Sequence, residues 1–193
     1  QIQVEMEYAG EKLEELYDRV LVAVGRVPNC DDLGLENTRV TRDDKGFVNV
    51  DENQRTEDSS IYAIGDIAGG VLLAHKATRE GRIAVEAILG EHESMPQFII
   101  PAVVFTDPEV AWVGVTEIEA REKKLDYGVG KFPWAASGRA LGNDRAEGFT
   151  KLLFDNKTRR IIGAGMTGVN AGDLIAECAL AIEMGCEAED IGL

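Results

Sequence analysis

Residues 56–66 read TEDSSIYAIGD and decide the fold class of this chain together with the segment that follows them. The apolar residues 61–64 predict a short buried strand, which Gly65 and Asp66 end with a turn. Residues 74–89 then show the spacing of a helix and stop before another glycine, a natural helix terminator. This order of strand, glycine-rich loop and helix is typical of an α/β domain, in which ligands bind where the strands end.

The helix predicted over residues 74–89 is amphipathic. Its apolar side chains lie near one stripe, which is expected to face the core. Its charged side chains fall mostly outside this stripe; they are Lys76, Arg79, Glu80, Arg82 and Glu86.

Three further stretches predict strands in the first half of the chain. Residues 20–24 (VLVAV) form an unbroken apolar run, which is typical of a parallel strand buried on both faces. Residues 2–6 alternate between apolar and polar side chains, and residues 46–50 (GFVNV) are a shorter strand candidate. The loop over residues 25–29 would then lie at the carboxyl end of a buried strand, where α/β proteins bind ligands.

The pattern changes near residues 91–97, from parallel-type elements to short strands joined by tight turns. We therefore place a domain boundary before Phe98. The expected pairing of the later strands is antiparallel. The predicted pairs are residues 103–105 with 110–113, and residues 149–154 with 161–166.

Two helices are predicted beside this second sheet. The first opens with a capping box, in which Thr116 and Glu119 each satisfy a free backbone amide. The second covers residues 171–184, with Asn170 as its amino-terminal cap and Gly185 in the left-handed conformation that ends it. The second half of the chain should therefore be an antiparallel sheet with flanking helices.

Composition argues against several classes of partner. Twenty Lys plus Arg against thirty-five Asp plus Glu give a net charge of −15, which repels phosphate backbones and anionic membrane surfaces. No apolar run approaches the roughly 20 residues that a membrane helix needs. We expect neither a nucleic-acid nor a membrane partner, and a location in the cytoplasm, or in the mitochondrial matrix if the source is eukaryotic. The chain starts without Met and inside an alternating pattern, so we expect it to be a fragment.

The cysteines and histidines limit the chemistry that the chain can perform. Cys30, Cys178 and Cys186 are too few and too widely spaced for a disulfide framework or a metal cluster, and a reducing compartment fits them best. Cys178 and Cys186 should lie about 12 Å apart along one helix, which is too far for a disulfide. With His75 and His92 as the only imidazoles, we expect no metal site.

The pair Gly65 and Asp66 is the main candidate for ligand binding. A carboxylate at the end of a strand can accept hydrogen bonds from a polyol, and a preceding glycine allows the ligand to approach closely. An isolated Gly-Asp pair is more often a simple turn with a solvated carboxylate. The whole stretch 56–66, however, resembles the second flavin-binding signature of the pyridine nucleotide-disulfide oxidoreductases. That resemblance implies that Asp66 binds the sugar-alcohol chain of FAD.

The next segment, residues 72–77 (LLAHKA), resembles the turn into the family helix whose amino terminus faces the flavin ring. Free amides and the positive end of a helix would favour the anionic reduced ring. The resemblance therefore implies that Leu72, Leu73, Ala74 and His75 contact FAD. The simpler interpretation of His75 is a polar residue at the start of a helix, without a catalytic role.

Two other regions extend the resemblance over essentially the whole chain. Residues 23–29 (AVGRVPN) resemble the strand end at which the nicotinamide-binding domain returns to the flavin domain, so Gly25 is expected to touch NAD. Residues 100–114 resemble the opening of the interface domain through which these enzymes form homodimers. In residues 137–141 (SGRAL) a glycine departs from the family pattern before Arg139, which puts the family's serine contact in doubt.

The expected fold class is α/β plus α+β, the tail of a Rossmann-like NAD/FAD domain pair followed by an antiparallel-sheet interface domain with flanking helices. The expected domains are the end of the NAD-binding domain, the carboxyl-terminal part of the FAD-binding domain and the dimerisation domain. They cover residues 1–30, 31–97 and 98–193, respectively.

Within the family, the motif Ala-His-Lys-Ala at residues 74–77 is more similar to the corresponding segment of dihydrolipoamide dehydrogenases than to that of glutathione or mercuric reductases. The resemblance implies a parent enzyme that oxidises dihydrolipoyl groups, passes electrons through a redox disulfide and FAD to NAD, and meets the lipoyl domains of 2-oxoacid dehydrogenase complexes. The family's Cys-x-x-x-x-Cys pair and its His-Pro segment do not occur in this sequence. We therefore assign no catalytic residue to this chain and expect it to be inactive alone, with FAD and NAD bound by the parent.

Two other functions stay open on the sequence. The chain could be a non-catalytic homodimerisation module that binds no cofactor. It could also come from a related reductase that acts on glutathione disulfide, mercuric ion or coenzyme A disulfide.

Overall fold

A computed structural model describes residues 1–91 and 99–192 of the chain. The predicted boundary between residues 97 and 98, with Pro96, lies outside the described residues, as does His92. Within the described ranges the chain forms a mixed α/β structure with two antiparallel sheets. The predicted fold class is confirmed, although several individual strands differ from the prediction.

The chain begins with a two-stranded antiparallel hairpin. Strand β1 (Ile2–Tyr8) pairs along its full length with β2 (Glu11–Tyr17), and Ala9 and Gly10 turn the chain with φ values of 53° and 84°. Strand β1 agrees with the predicted strand over residues 2–6. Strand β2 was not predicted, because its leucines are spaced three apart instead of alternating with polar residues.

The buried parallel strand predicted over residues 20–24 is not formed. This stretch has no regular structure, and Leu21 and Val24 are 91% and 94% exposed. An interior strand of a parallel sheet takes its hydrogen bonds and its packing from neighbours on both sides. In the described part of the chain no strand pairs with this stretch, so the apolar run stays at the surface.

The strands predicted over residues 46–50 and 61–64 are each reduced to one bridge. Val48 bridges to Arg42 and Tyr62 bridges to Arg55, while turns hold the surrounding backbone. A small core made of Cys30, Val48 and Ala63 is packed beneath them. The segment is therefore ordered by turns and this small core and not by a ladder of paired strands.

The second half forms a five-stranded antiparallel sheet in the order β3-β4-β7-β6-β5. Both predicted strand pairs are confirmed. Strand β5 was not predicted, because its sequence YGVGKFP contains two glycines and a proline, which weaken the strand signal. The strands are β3 (Ala102–Val104), β4 (Glu109–Gly114), β5 (Tyr127–Pro133), β6 (Phe149–Asp155) and β7 (Ile161–Gly168).

Helix α4 (Ala171–Glu183) covers one face of this sheet; the other helices are α1 (Ala74–Ile88), α2 (Glu117–Glu122) and α3 (Gly138–Gly142). The core between α4 and strands β4 and β7 consists of small and medium side chains, which allows a close approach of helix and sheet. Its buried members include Ala111, Val113, Ala164, Met166, Ala171, Ile175 and Cys178.

The helix ends that the sequence predicts agree with the structure except at one position. The capping box of α2 is present with both of its hydrogen bonds, and Gly185 has a φ of 67° after α4. Asn170, predicted to cap α4, has a φ of 58° and makes no side-chain cap. Glu109 replaces it: its Oε2 accepts a hydrogen bond from the Gly172 amide at 2.9 Å. This carboxylate comes from β4, so only the tertiary fold brings it to the helix.

No helix in residues 1–91 or 99–192 has the length and hydrophobicity that a membrane crossing requires.

Candidate functional site

The predicted ligand-binding segment is a short 3-10 turn, Gly65–Ala68, packed against the first helix α1. Gly65 is buried and has a φ of 78°, a conformation that favours glycine. A Cβ on Gly65 would lie 3.1 Å from Cβ of Ala77. The turn therefore needs glycine for two independent reasons, its backbone angle and its close contact with the helix.

Lys76 and Glu80, which the sequence places mostly outside the apolar stripe of α1, are buried under this turn. Their residues are only 7% and 6% exposed, and Lys76 Nζ lies 2.6 Å from Glu80 Oε1. The other carboxylate oxygen, Oε2, accepts a hydrogen bond from the Gly65 amide at 2.7 Å, and Lys76 Nζ donates to the Gly65 carbonyl at 3.3 Å. Burial is tolerated because each charge is paired and hydrogen-bonded.

Asp66 follows this buried peptide and points outward, with its side chain 56% exposed. Arg26 Nη1 lies 3.7 Å from Asp66 Oδ2 and donates a hydrogen bond to the Leu72 carbonyl at 3.0 Å. The same guanidinium atom thus touches Asp66 and the turn that leads into α1. The structure places these two parts of the predicted site on one surface.

The amino terminus of α1 lies beside Asp66 on this surface. Leu73 is the cap residue and provides no side-chain hydrogen bond, and the first turn contains no acidic residue. The first amides of a helix have no partner inside the helix, and they form the positive end of its dipole. Ala74 and His75, which carry such amides, are exposed. The helix start can therefore receive an anionic or hydrogen-bond-accepting group from outside.

The imidazole of His75 has a structural contact of its own. Its Nε2 lies 2.7 Å from the carbonyl oxygen of Pro101, so this nitrogen must carry a proton to donate a hydrogen bond. The contact ties α1 to the strand-forming half of the chain. It agrees with the simpler interpretation of His75 as a polar residue at the start of a helix.

Gly25 lies in the irregular segment next to Arg26 and is exposed. Its φ of 145° favours glycine, while a Cβ at this position would meet no atom within 4 Å. The backbone angle, and not a close contact within the described residues, therefore accounts for this glycine. Its neighbour Arg26 connects it to the surface that carries Asp66.

The three cysteines are free thiols, and none belongs to this surface. Burial, with a smaller contribution from Glu177, raises the pKa of the Cys178 thiol to about 11, so it stays protonated and unreactive near neutral pH. In the parts of the chain that are described, no group of three or more His, Cys, Asp or Glu side chains is arranged to hold a metal ion.

Thiol titration of the folded chain at pH 8 should detect Cys186 well before Cys30 and Cys178. The reason is that Cys186 is half-buried whereas the other two are buried, and the raised pKa of Cys178 keeps it out of the reactive thiolate form. Ellman's reagent should label about one thiol rapidly in native buffer and all three in denaturant. Rapid labelling of Cys178 in the native chain, identified by mass spectrometry, would contradict the structure.

Sequence reasoning missed the burial of Lys76 and Glu80 in this region. The spacing of Lys76 and Glu80, four residues apart, suits a helical ion pair. Arg82 and Glu86 have the same spacing and also pair, at 2.9 Å, but on the surface. Spacing alone therefore cannot tell which pair is buried.

Two family models match the chain. The model described as pyridine nucleotide-disulphide oxidoreductase matches residues 3–81. The model described as the dimerisation domain of the pyridine nucleotide-disulphide oxidoreductases matches residues 100–193.

Curated relatives of known name are about half identical to the chain. The dihydrolipoyl dehydrogenase of Vibrio cholerae is 51% identical over 179 residues, which cover 93% of this chain and 38% of the relative. That of Bacillus subtilis is 48% identical over 192 residues, which cover 100% of this chain and 41% of the relative. The chain thus spans about two fifths of the length of these relatives.

Solved structures share the fold. The HOCl-induced flavoprotein disulfide reductase RclA from Escherichia coli matches with a TM-score of 0.84 and 30% identity, over 96% of this chain and 42% of that one. LpdA from Mycobacterium tuberculosis matches with a TM-score of 0.83 and 31% identity, over 92% of this chain and 39% of that one.

Proposed function

This chain belongs to the pyridine nucleotide-disulphide oxidoreductase family, and we propose that it is the flavin-contacting and dimerising part of a longer dihydrolipoyl dehydrogenase. The longer enzyme oxidises dihydrolipoyl groups and passes the electrons through a redox disulfide and FAD to NAD. The names and the identity of the curated relatives support this assignment over a glutathione, mercuric or coenzyme A disulfide reductase.

The observation that carries the proposal is the single surface that joins Asp66 to the start of α1. Its polar groups fit FAD, because a carboxylate can accept hydrogen bonds from the hydroxyl groups of the sugar-alcohol chain and uncapped amides can donate to the electron-rich edge of the ring. In this proposal Asp66 accepts hydrogen bonds from the polyol, Gly65 allows its close approach, and Leu72, Leu73, Ala74 and His75 contact the ring. FAD, when bound, supplies a ring that takes up two electrons and passes them on.

The residues of this chain bind and orient, and they do not transfer groups themselves. The positive end of α1 favours negative charge on a bound ring, and Arg26 can hold the turn at Leu72 in place. In this proposal Gly25 allows the nicotinamide nucleotide to approach the backbone. No two of the three cysteines are separated by four residues, so the redox disulfide is assigned to another part of the longer enzyme.

The partners follow from the same proposal. Residues 98–193 pair with a second copy to give a homodimer, in agreement with the dimerisation-domain match. The complete enzyme meets lipoyl domains of 2-oxoacid dehydrogenase complexes, in the cytoplasm or, in a eukaryote, in the mitochondrial matrix.

The direct test uses the full-length protein that contains this chain. We expect it to purify with visible flavin absorbance and to reduce NAD with dihydrolipoamide as electron donor. Glutathione disulfide, mercuric ion and coenzyme A disulfide serve as competing substrates in parallel assays. Faster turnover of any of these three would reassign the enzyme within its family, and a colourless protein without activity would end the proposal.

The isolated 193-residue chain should behave differently from the full-length enzyme. We expect it to be colourless, to lack dihydrolipoamide:NAD activity and to self-associate through residues 98–193. Absorbance spectra and sedimentation velocity measure these properties. Flavin absorbance like that of a holoenzyme, or a strictly monomeric profile, would contradict this expectation. If the full-length protein also binds no cofactor, the non-catalytic dimerisation module becomes the better assignment.

A further inference from the structure

We propose that the buried ion pair of Lys76 and Glu80 is a positioning device that fixes the peptide of Gly65 and thereby aims Asp66 at the flavin. This inference rests on the proposed flavin site. It assigns a binding role to two residues that do not themselves face the ligand surface.

The contacts of the pair converge on one residue. Glu80 accepts the Gly65 amide hydrogen at 2.7 Å, and Lys76 donates to the Gly65 carbonyl at 3.3 Å. Both backbone polar groups of Gly65 are therefore bound by side chains of α1. The two side chains also hold each other, with Nζ and Oε1 at 2.6 Å. Asp66 is the next residue in the chain, so its backbone is attached directly to the peptide that the ion pair holds.

The surrounding glycines leave little room for another arrangement. A Cβ on Gly70 would lie 3.3 Å from Cε of Lys76, and a Cβ on Gly81 would lie 3.3 Å from Cδ1 of Ile64. Backbone and helix thus approach closely on both sides of the ion pair. Such tight packing resists small shifts of the turn, so the direction of Asp66 is set by α1.

Stability alone is a poor reason for this pair. Removing two charges from water is costly, and an apolar pair of similar volume often stabilises a protein as well or better. An apolar pair, however, would leave the buried amide and carbonyl of Gly65 without partners. The ion pair satisfies both groups and fixes their direction, which is what a preorganised binding loop requires.

The same helix provides both ends of the arrangement. Its first turn carries the free amides proposed to face the flavin, and its second turn carries Glu80, which holds the residue before Asp66. The carboxylate and the helix start therefore keep a fixed separation. The Asp66 carboxylate and the first amides of α1 are therefore already positioned relative to each other before FAD binds. Less conformational entropy is then lost on binding.

The test measures the dissociation constant of FAD for full-length apoprotein, by flavin fluorescence well below the unfolding temperature. Glu80→Gln makes the hydrogen bond from the Gly65 amide a neutral one, and Lys76→Met removes the donor to the Gly65 carbonyl. Each variant and the double variant should weaken binding by roughly tenfold, the size of the loss of a charged hydrogen bond or of its charge. The double variant removes both charges and avoids an unpaired buried charge, so it keeps the test valid if a single variant fails to fold. The matched controls Arg82→Met and Glu86→Gln break the exposed pair of equal spacing and should leave the dissociation constant within about twofold.

A second control separates positioning from general loss of stability. Ile83→Val trims a buried side chain of the same helix that takes no part in the hydrogen bonds to Gly65. It should lower the unfolding temperature without weakening FAD binding. The positioning role would be overturned if the folded variants of Lys76 and Glu80 bound FAD as tightly as the wild type. It would also be overturned if Ile83→Val weakened FAD binding as much as they do. A wild-type protein that binds no flavin would instead overturn the proposed function, and this inference with it.

Discussion

Replacing Asp66 with alanine should weaken FAD binding to the full-length protein by roughly tenfold to a hundredfold, the range expected when a hydrogen bond to a charged group is lost. The carboxylate is exposed beside the start of α1, where it can reach a ligand, and its residue is anchored by the clamped Gly65. Flavin content after purification and the dissociation constant of FAD for the apoprotein measure the effect.

The matched control for this prediction is Asp58→Ala. Asp58 is a nearby carboxylate of the same stretch, but it is engaged with Ser60 and the Arg39 amide, and the Ser60 hydrogen bonds are the main cause that lowers its pKa. Its loss should disturb a turn and leave FAD binding close to that of the wild type. Equal flavin content in Asp66→Ala and Asp58→Ala would contradict the assignment of Asp66 to the flavin site.

Replacing Gly163 with alanine should destabilise the 193-residue chain by about 3 kcal/mol, the upper part of the range for overpacking. A Cβ at this position would lie 2.0 Å from the carbonyl oxygen of Val115. Gly163 is in β7, the centre of the five-stranded sheet, so the strand cannot move away without breaking two ladders. A chain of this size loses roughly 2–4 °C in Tm for each kcal/mol, so thermal unfolding detects the change easily.

Gly130 provides the matched control on the edge strand β5 of the same sheet. A Cβ on Gly130 would meet no atom within 4 Å, so Gly130→Ala should be neutral or slightly stabilising. Equal unfolding temperatures for the two variants would show that the backbone contact at Gly163 is more open than the structure indicates.

Local patterns predicted the elements whose interactions lie within a few residues. The span of α1, the capping box of Thr116 and Glu119 and the strand pairs of the second sheet all depend on neighbouring residues, and all agree with the structure. Residues 56–66, which end in Asp66, likewise predict a candidate site from their own sequence. Whether Asp66 binds FAD stays a prediction, which the variants above test.

Patterns failed where a distant partner decides the outcome. The apolar run 20–24 reads as a buried strand, but it is a strand only if neighbouring strands supply hydrogen bonds. The sequence predicts Asn170 as the amino-terminal cap of α4. Instead, the carboxylate of Glu109, more than sixty residues earlier in the chain, accepts a hydrogen bond from an amide of the first turn of α4. Strand β5 has no clear strand signal in the sequence, and it forms by pairing with β6.

The sequence by itself predicted the start of α1, α2 and α4 and the stretch that carries the candidate site, because turns and periodicity act between near neighbours. Only the tertiary structure decided that Lys76 and Glu80 are buried while Arg82 and Glu86 pair at the surface, although both pairs have the same spacing. The physical reason is that a charged pair can be buried only where other polar groups complete its hydrogen bonds. Here those groups are the amide and carbonyl of Gly65, which the fold brings to the helix.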